Sequence, residues 1–154
     1  MLVRDPVADD YEIETMIRFD PIANVQAAGL VVRDPNTDDL GDADNAVNLI
    51  RAFCDAAPPT CGGDAIYLDS IVNGEFGPPP INVTLPPGTG DVYLRIRHEG
   101  GVYTGFYSLD GSDWVNVGSR SRDLVDAQIG IWTGGAFSEP VPTAHFDYFE
   151  EAAI

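Results

Sequence analysis

Apolar and polar residues alternate with a period of two along most of this sequence, and this pattern constrains the fold more than any other feature. In the segment YEIETMIRF, Tyr11, Ile13, Thr15, Ile17 and Phe19 share one face and the charged side chains share the other, as in a strand with one buried face. About ten such segments are separated by turns rich in glycine, proline, asparagine and aspartate. No window of eleven residues shows a helical apolar stripe. The sequence therefore predicts an all-β fold, either a β-sandwich or a barrel.

The strong negative charge limits the possible partners. The chain has 154 residues, with 25 Asp and Glu against eight Arg and no Lys, and a formal net charge of −17. Its length suits a single domain with its own core. Such a surface repels the phosphates of nucleic acids and the head groups of anionic lipids. We therefore expect neither a nucleic acid nor a membrane as a partner.

Two cysteines bear on the compartment. Cys54 and Cys61 lie in the segment CDAAPPTC, where they form either a short disulfide or two buried thiols. Two cysteines alone cannot make a structural zinc site. A disulfide would indicate an extracellular or periplasmic protein. Because the first ten residues lack the basic and then apolar pattern of a signal peptide, export would require a signal outside this sequence.

The segment YTGFYSLDGSDW predicts a β-hairpin. An Asp-Gly pair between alternating aromatic residues is typical of a two-residue type I′ turn, and it places Asp110 and Gly111 at the turn. With that loop Tyr107 pairs with Trp114, so Tyr103, Tyr107 and Trp114 share one outward face. The sequence thus predicts an aromatic row on this hairpin.

The register of the preceding hairpin stays open. A three-residue loop at residues 99–101 would set Arg97 opposite Tyr103 and join the arginines to the aromatic row. A two-residue loop would place the arginines on the face of Thr104 and Phe106 instead. The sequence does not distinguish these two registers.

The order of motifs resembles a known superfamily. The segments YEIETMIRFDP, AAGLVVRD, DVYLRIRHEGGVYTGFYSLDGSDWVNVG, QIGIWTGG and AHFDYFE are similar to those of concanavalin A-like jelly rolls, and within them to LamG-like domains, including those C-terminal to β-xylosidases. The resemblance covers residues 2–150 and implies two curved antiparallel sheets, a concave face that takes glycans and a structural calcium ion. We therefore expect residues 1–154 to form one jelly-roll domain of a larger exported protein, beside a catalytic domain.

The resemblance does not extend to the catalytic residues of the superfamily. Its hydrolases carry a Glu-x-Asp-x-x-Glu run, because retaining hydrolysis needs two carboxyl groups about 5 Å apart. In this chain Glu12 and Glu14 share a strand face but lack the third carboxylate. We predict a domain without catalytic activity, and a glycoside hydrolase remains an alternative.

Aromatic and arginine side chains make up the predicted sugar site. Sugar rings stack on aromatic faces while planar polar groups bind the hydroxyls. The candidates are Trp132, which would point outward among glycines, with Tyr103, Tyr107, Arg95 and Arg97. The alternative is core or cross-strand packing of the same side chains. We predict a module that binds a neutral polysaccharide or oligosaccharide on its concave sheet; a structural or adhesive module is the other interpretation.

Two acidic segments are candidate calcium ligands. Asp34, Asn36 and Asp38 repeat the opening of an EF-hand loop, but the glycine and the closing glutamate of that loop are missing. Asp147 is a candidate by the resemblance alone. A solvated acidic loop is the alternative. If calcium binds, adding it after EDTA should raise the melting temperature by several degrees; an unchanged melting temperature would contradict the prediction.

Overall fold

The structure is a computed structural model that describes residues 1–36, 45–56, 62–135 and 139–154. Its strands are β1 (Leu2–Arg4), β2 (Tyr11–Arg18), β3 (Ala27–Arg33), β4 (Ala46–Cys54), β5 (Gly63–Val72), β6 (Glu75–Phe76), β7 (Ile81–Thr84), β8 (Asp91–Glu99), β9 (Val102–Ser108), β10 (Val115–Ser121), β11 (Gln128–Gly134) and β12 (His145–Ala153). All of the predicted alternating segments form strands, and β1 and β6 are short strands outside them. Within those ranges no helix is long and apolar enough to cross a membrane.

The strands form a two-sheet antiparallel β-sandwich, which confirms the predicted jelly-roll class. The seven-stranded sheet has the order β1-β11-β3-β4-β5-β6, with β7 also paired to β5, and the five-stranded sheet has the order β10-β9-β8-β2-β12. Strands that are distant in sequence are neighbours in both sheets, such as β3 beside β11 and β2 beside β12. The sandwich thus depends on long-range pairings.

The edge strands of both sheets are short or bulged. In the seven-stranded sheet the edges are β1 with three residues, β6 with two and β7 with four. In the five-stranded sheet β10 has a bulge between Asn116 and Gly118, and β12 has one between Phe146 and Phe149. The edges of each sheet therefore present only short runs of regularly spaced backbone N–H and C=O groups to another strand.

The hydrophobic core lies between the inner faces of the two sheets. On the five-stranded sheet Ile13, Ile17, Leu94 and Ile96 are fully buried, as the alternation in β2 and β8 predicts. Each such side chain stabilises the fold by about 1.5–3 kcal/mol through its burial. Their fully buried partners on the seven-stranded sheet are Leu30, Val32, Leu49, Ile66, Leu68 and Ile129.

One charged side chain, Arg51 of β4, is buried at the inner face of the seven-stranded sheet with 1% of its surface exposed. Its Nε and Nη2 donate to the two carboxylate oxygens of Asp64 at 2.9 and 2.7 Å. Its Nη1 donates to the carbonyl of Gly90 at 2.8 Å, and Nη2 also donates to the carbonyl of Thr89 at 3.0 Å. The guanidinium thus ties the loop before β8 to two strands of the opposite sheet.

The hairpin between β8 and β9 has a two-residue loop, which is one of the two registers that the sequence leaves open. Glu99 pairs with Val102, and Gly100 and Gly101 both have positive φ, at 57° and 78°, as a type I′ turn requires. Arg95 consequently pairs with Phe106 and Arg97 with Thr104. The arginines therefore lie on the opposite face from Tyr103.

The hairpin between β9 and β10 is confirmed, but its predicted two-residue turn is wrong. Tyr107 pairs with Val115, so the loop comprises residues 109–114. The Oδ1 atom of Asp110 accepts hydrogen bonds within this loop, and these bonds hold the pKa of that carboxyl well below its usual range. The donors are Ser108 Oγ, Ser112 N, Ser112 Oγ and Asp113 N, at 2.8–3.0 Å.

Candidate functional site

The five residues predicted to bind sugar lie in three separate places. Tyr103 is 2% exposed and Tyr107 packs against the core. Arg95 and Arg97 lie on the outer face of the five-stranded sheet, and Trp132 lies on β11 of the other sheet. The predicted outward aromatic row is therefore wrong, because the register of the hairpins directs the tyrosines inward, and of the two registers left open the one that separates the arginines from Tyr103 is observed.

Tyr103 belongs to a buried aromatic cluster. Its ring stacks on His98 with a centroid distance of 4.3 Å, and His98 also contacts Tyr11 at 5.1 Å. Burial raises the pKa of the Tyr103 hydroxyl to about 12. A ring enclosed in this way cannot stack on a sugar unless the core opens.

Arg95 is fully engaged on the outer face of its sheet. Its guanidinium lies 3.7 Å from the ring centroid of Trp114 and pairs with Glu14 at 2.6 Å and Glu12 at 3.3 Å. The Tyr148 hydroxyl donates to the other oxygen of Glu14. The two glutamates that could have formed a catalytic pair thus both pair with one arginine.

Trp132 lies in a different setting, on the outer face of the seven-stranded sheet. Strand pairing aligns it with residues of four neighbouring strands, which we call the tryptophan row: Trp132, Gly29, Ile50, Tyr67 and Asn82. A second set of aligned residues lies two positions away along the strands. We call it the aspartate row, and it consists of Gly130, Val31, Asn48 and Asp69. Together these rows form the candidate site.

The surroundings of Trp132 support its ring from one side and leave it half-buried. The ring packs against a small apolar cluster that is separate from the main core and includes Ile50 and Tyr67. It covers Gly134, where a Cβ atom would stand 2.3 Å from a ring carbon. Gly29 lies directly opposite on β3. Gly29 and Gly134 themselves carry no side chain that could enclose the indole.

Asp69 and Asn48 provide the polar groups of the candidate site. Asn48 Nδ2 donates to Asp69 Oδ1 at 2.9 Å, and no described residue donates to Asp69 Oδ2. Burial raises the pKa of the Asp69 carboxyl to about 6, although the bond from Asn48 and the charge of Arg120 act in the opposite direction. The sequence analysis missed this pair. The signal was present, because Asp69 interrupts the apolar outer face of β5 beside Tyr67.

The calcium ligands are only partly assembled. Asp34 is 5% exposed; its Oδ2 accepts from Asn45 Nδ2 at 2.8 Å, and no described residue donates to its Oδ1. Asn36 and Asp147 are exposed. The described residues contain no group of three or more His, Cys, Asp or Glu side chains that could hold a metal ion. These side chains alone do not complete the oxygen shell that calcium needs, so calcium stays a prediction.

Two predicted residues lie outside the described ranges. Asp38 belongs to the acidic segment after Asp34, and Cys61 is the predicted partner of Cys54, which ends β4. The complete EF-hand-like opening therefore stays a prediction. Cys54 is not a free thiol in the structure, and its pairing with Cys61 stays a prediction.

The sequence matches one protein family over almost its full length. The model of the family described as the β-xylosidase C-terminal concanavalin A-like domain matches residues 1–150. No curated protein matches the chain.

Solved structures with similar folds come from larger enzymes and from a binding module. The GH43 protein BlXynB from Bacillus licheniformis has a TM-score of 0.77 and 19% identity; 99% of this chain aligns, covering 29% of that one. The xylan β-1,4-xylosidase from Bacillus halodurans has a TM-score of 0.74 and 19% identity; 97% of this chain aligns, covering 28% of that one. The carbohydrate-binding module CBM66 from Bacillus subtilis has a TM-score of 0.61 and 15% identity; 99% of this chain aligns, covering 78% of that one. This chain thus spans less than a third of the two enzymes.

Proposed function

Because the chain belongs to the family of concanavalin A-like domains found C-terminal in β-xylosidases, we propose that it is a carbohydrate-binding module without catalytic activity. Its ligand is a neutral glycan, bound at the outer face of the seven-stranded sheet. The similarity in fold to a carbohydrate-binding module from Bacillus subtilis supports this role.

The observation that carries the proposal is the position of Trp132. It is half-buried on an outer sheet face, over Gly134 and opposite Gly29, where the indole can stack on the apolar face of a pyranose ring. The hydrogen-bonding groups of Asn48 and Asp69 lie in the adjacent row. Aromatic stacking with a few convergent polar groups is the usual composition of a small-ligand site.

The overall charge favours a neutral ligand. With a formal net charge of −17, the domain repels anionic polysaccharides over a range of about 10 Å at moderate salt. A module of this kind acts beside a catalytic domain in an exported protein, where polysaccharides occur. We therefore propose an extracellular or periplasmic location and a neighbouring glycoside hydrolase domain. Detection of the native protein in the cytoplasm alone would contradict that location.

The experiment that tests the proposal is affinity electrophoresis of Trp132→Ala in gels containing neutral xylan. We expect the variant to lose about fivefold to tenfold in affinity, because stacking on one aromatic ring contributes about 1–1.5 kcal/mol. Its melting temperature should fall by only a few degrees, since Trp132 packs outside the main core.

The second tryptophan of the chain supplies the matched control. Trp114 lies over Arg95 at the other sheet, so Trp114→Ala should be retarded in the gel like the wild type. Retardation of Trp132→Ala equal to that of the wild type would refute the proposed site. Unfolding of Trp132→Ala at the assay temperature would show that the ring is a structural residue, and would refute the site as well.

A further inference from the structure

A cleft of about 400 Å³ lies between the loop that follows β2 and the segment that leads into β12. We call it the end cleft; residues 18–20, 22, 142, 143 and 145 line it. It shares no residue with the tryptophan row or the aspartate row. Sites for small ligands have volumes of about 300–1,000 Å³, so the end cleft has room for a ligand at the small end of that range.

Three apolar residues form part of the lining. Phe19 is 5% exposed and belongs to the main core, so it gives the cleft a fixed inner wall. Ile22 is 55% exposed and Pro142 is half-buried, so apolar surface at the cleft is in contact with water. Removing such surface from water is favourable, and the C–H face of a sugar ring covers it while the ring hydroxyls stay free for polar groups.

The polar residues of the end cleft have hydrogen-bonding capacity that the described chain does not use. The side chains of Asp20, Thr143 and His145 make no hydrogen bond or ion pair with a described residue. Arg18 donates to Asp91 through Nε and Nη2, which leaves its Nη1 group available. A carboxylate, a hydroxyl, an imidazole and a guanidinium can together accept from and donate to sugar hydroxyls.

A buried glutamine holds the two walls of the end cleft together. Gln26 is 1% exposed, and its Oε1 accepts from the backbone amides of Ile22 and Ala23 at 2.9 and 3.1 Å. Its Nε2 donates to the carbonyl of Pro140 at 2.9 Å. The loop after β2 is thereby tied to the segment before β12. A cleft with fixed walls loses less conformational freedom when a ligand binds.

The charges at the end cleft favour an uncharged ligand. Arg18 is compensated by Asp91, at 2.8 and 3.0 Å. None of the ion pairs among the described residues includes Asp20. With histidine counted as neutral, these three side chains sum to one negative charge. This charge acts in the same direction as the formal net charge of −17 and repels acidic sugars.

We propose that the end cleft is a second carbohydrate site, which binds one neutral sugar unit such as the exposed end of a glycan chain or branch. Ile22 and Pro142 pack against the C–H face of the ring, and Asp20 and Thr143 bind its hydroxyls. This inference rests on the proposed role in carbohydrate binding, but it does not depend on Trp132.

The test is an NMR titration of the isotope-labelled domain with xylose, arabinose, glucose and galactose. We expect at least one of these sugars to shift the amide signals of residues 18–22 and 143–145 in a saturable way. Glucuronate and galacturonate should bind more weakly than glucose and galactose. Asp20→Asn should weaken the binding about tenfold through loss of a charged acceptor. Thr143→Trp, at an exposed position, fills the cleft and should abolish binding.

Two further variants serve as controls. Asp113→Asn removes the same charge from the exposed hairpin loop, and Trp132→Ala alters the other site; both should bind single sugars like the wild type. If no sugar shifts the signals of the cleft, the end cleft is refuted, and retardation in xylan gels still decides on Trp132.

Two other results separate the sites. If single sugars still bind to Thr143→Trp but not to Trp132→Ala, they bind at the sheet face and the end cleft is refuted. If a sugar binds in the end cleft while xylan gels do not retard the wild type, the end cleft is supported and the proposed site at Trp132 falls.

Discussion

Replacing Arg51 with methionine is expected to lower the free energy of unfolding by about 3 kcal/mol or more, one of the two largest effects we foresee. Methionine keeps much of the volume but removes all four hydrogen bonds of the guanidinium. The Asp64 carboxylate and the carbonyls of Thr89 and Gly90 then lose their donor. Breaking a buried ion pair from one side costs about 3–5 kcal/mol, because the remaining charge stays uncompensated; the partial exposure of Asp64 favours the lower end.

The measurement is denaturant unfolding followed by tryptophan fluorescence. Arg18→Met is the control, since Arg18 makes a similar two-point contact with Asp91, at 2.8 and 3.0 Å, on an exposed surface. An exposed pair contributes little to stability, because water and salt screen the two charges. Equal losses of stability in the two variants would show that the burial of Arg51 adds nothing to its effect.

The other large effect is expected for Gly29→Ala, which should cost about 3 kcal/mol of stability. A Cβ atom at this position would stand 2.3 Å from the Leu49 carbonyl oxygen and 2.7 Å from Ile50 Cα. Both atoms belong to the backbone of the neighbouring strand β4, which cannot rotate aside as a side chain can. Overpacking of a rigid interior typically costs about 1–3 kcal/mol, and a backbone overlap belongs at the upper end.

Gly90→Ala is the matched substitution for that experiment. A Cβ atom at Gly90 meets no atom within 4 Å, so its melting temperature should stay close to that of the wild type. If Gly29→Ala melts at the same temperature as Gly90→Ala, the close approach of β3 and β4 at Gly29 is not a constraint on the fold.

The sequence was sufficient for the sandwich because its strands alternate cleanly. In β2 and β8 the inward residues Ile13, Ile17, Leu94 and Ile96 follow directly from a period of two. The order of the strands in each sheet could not be predicted from the sequence, because pairings such as β3 with β11 depend on packing between distant segments. A local pattern identifies strands but not their neighbours.

The faces of the β9 residues were predicted wrongly for a specific physical reason. An Asp-Gly pair favours a two-residue turn, but the Asp110 carboxylate binds the backbone amides of Ser112 and Asp113 and holds a wider loop. Side-chain hydrogen bonds of this kind compete with the ideal turn. Because side chains alternate, the changed register turned Tyr103 and Tyr107 from the surface to the core.

The candidate site was found only in part. Trp132 was recognised because its glycine neighbours are adjacent in sequence. Asn48 and Asp69 are separated by 21 positions, and their proximity follows from the pairing of β4 with β5. A polar pair across two strands becomes visible only when the register is known.

The edges of the two sheets bear on how copies of this domain behave at high concentration. A long, regular edge strand is a template on which another chain can add its own strand and begin a fibril. Here β1 and β6 contain three and two residues, and β10 and β12 are interrupted by bulges. A strand from another molecule thus cannot form a long, regular series of hydrogen bonds at these edges. A protein whose regular secondary structure is all β-strand can therefore remain dispersed when it is concentrated.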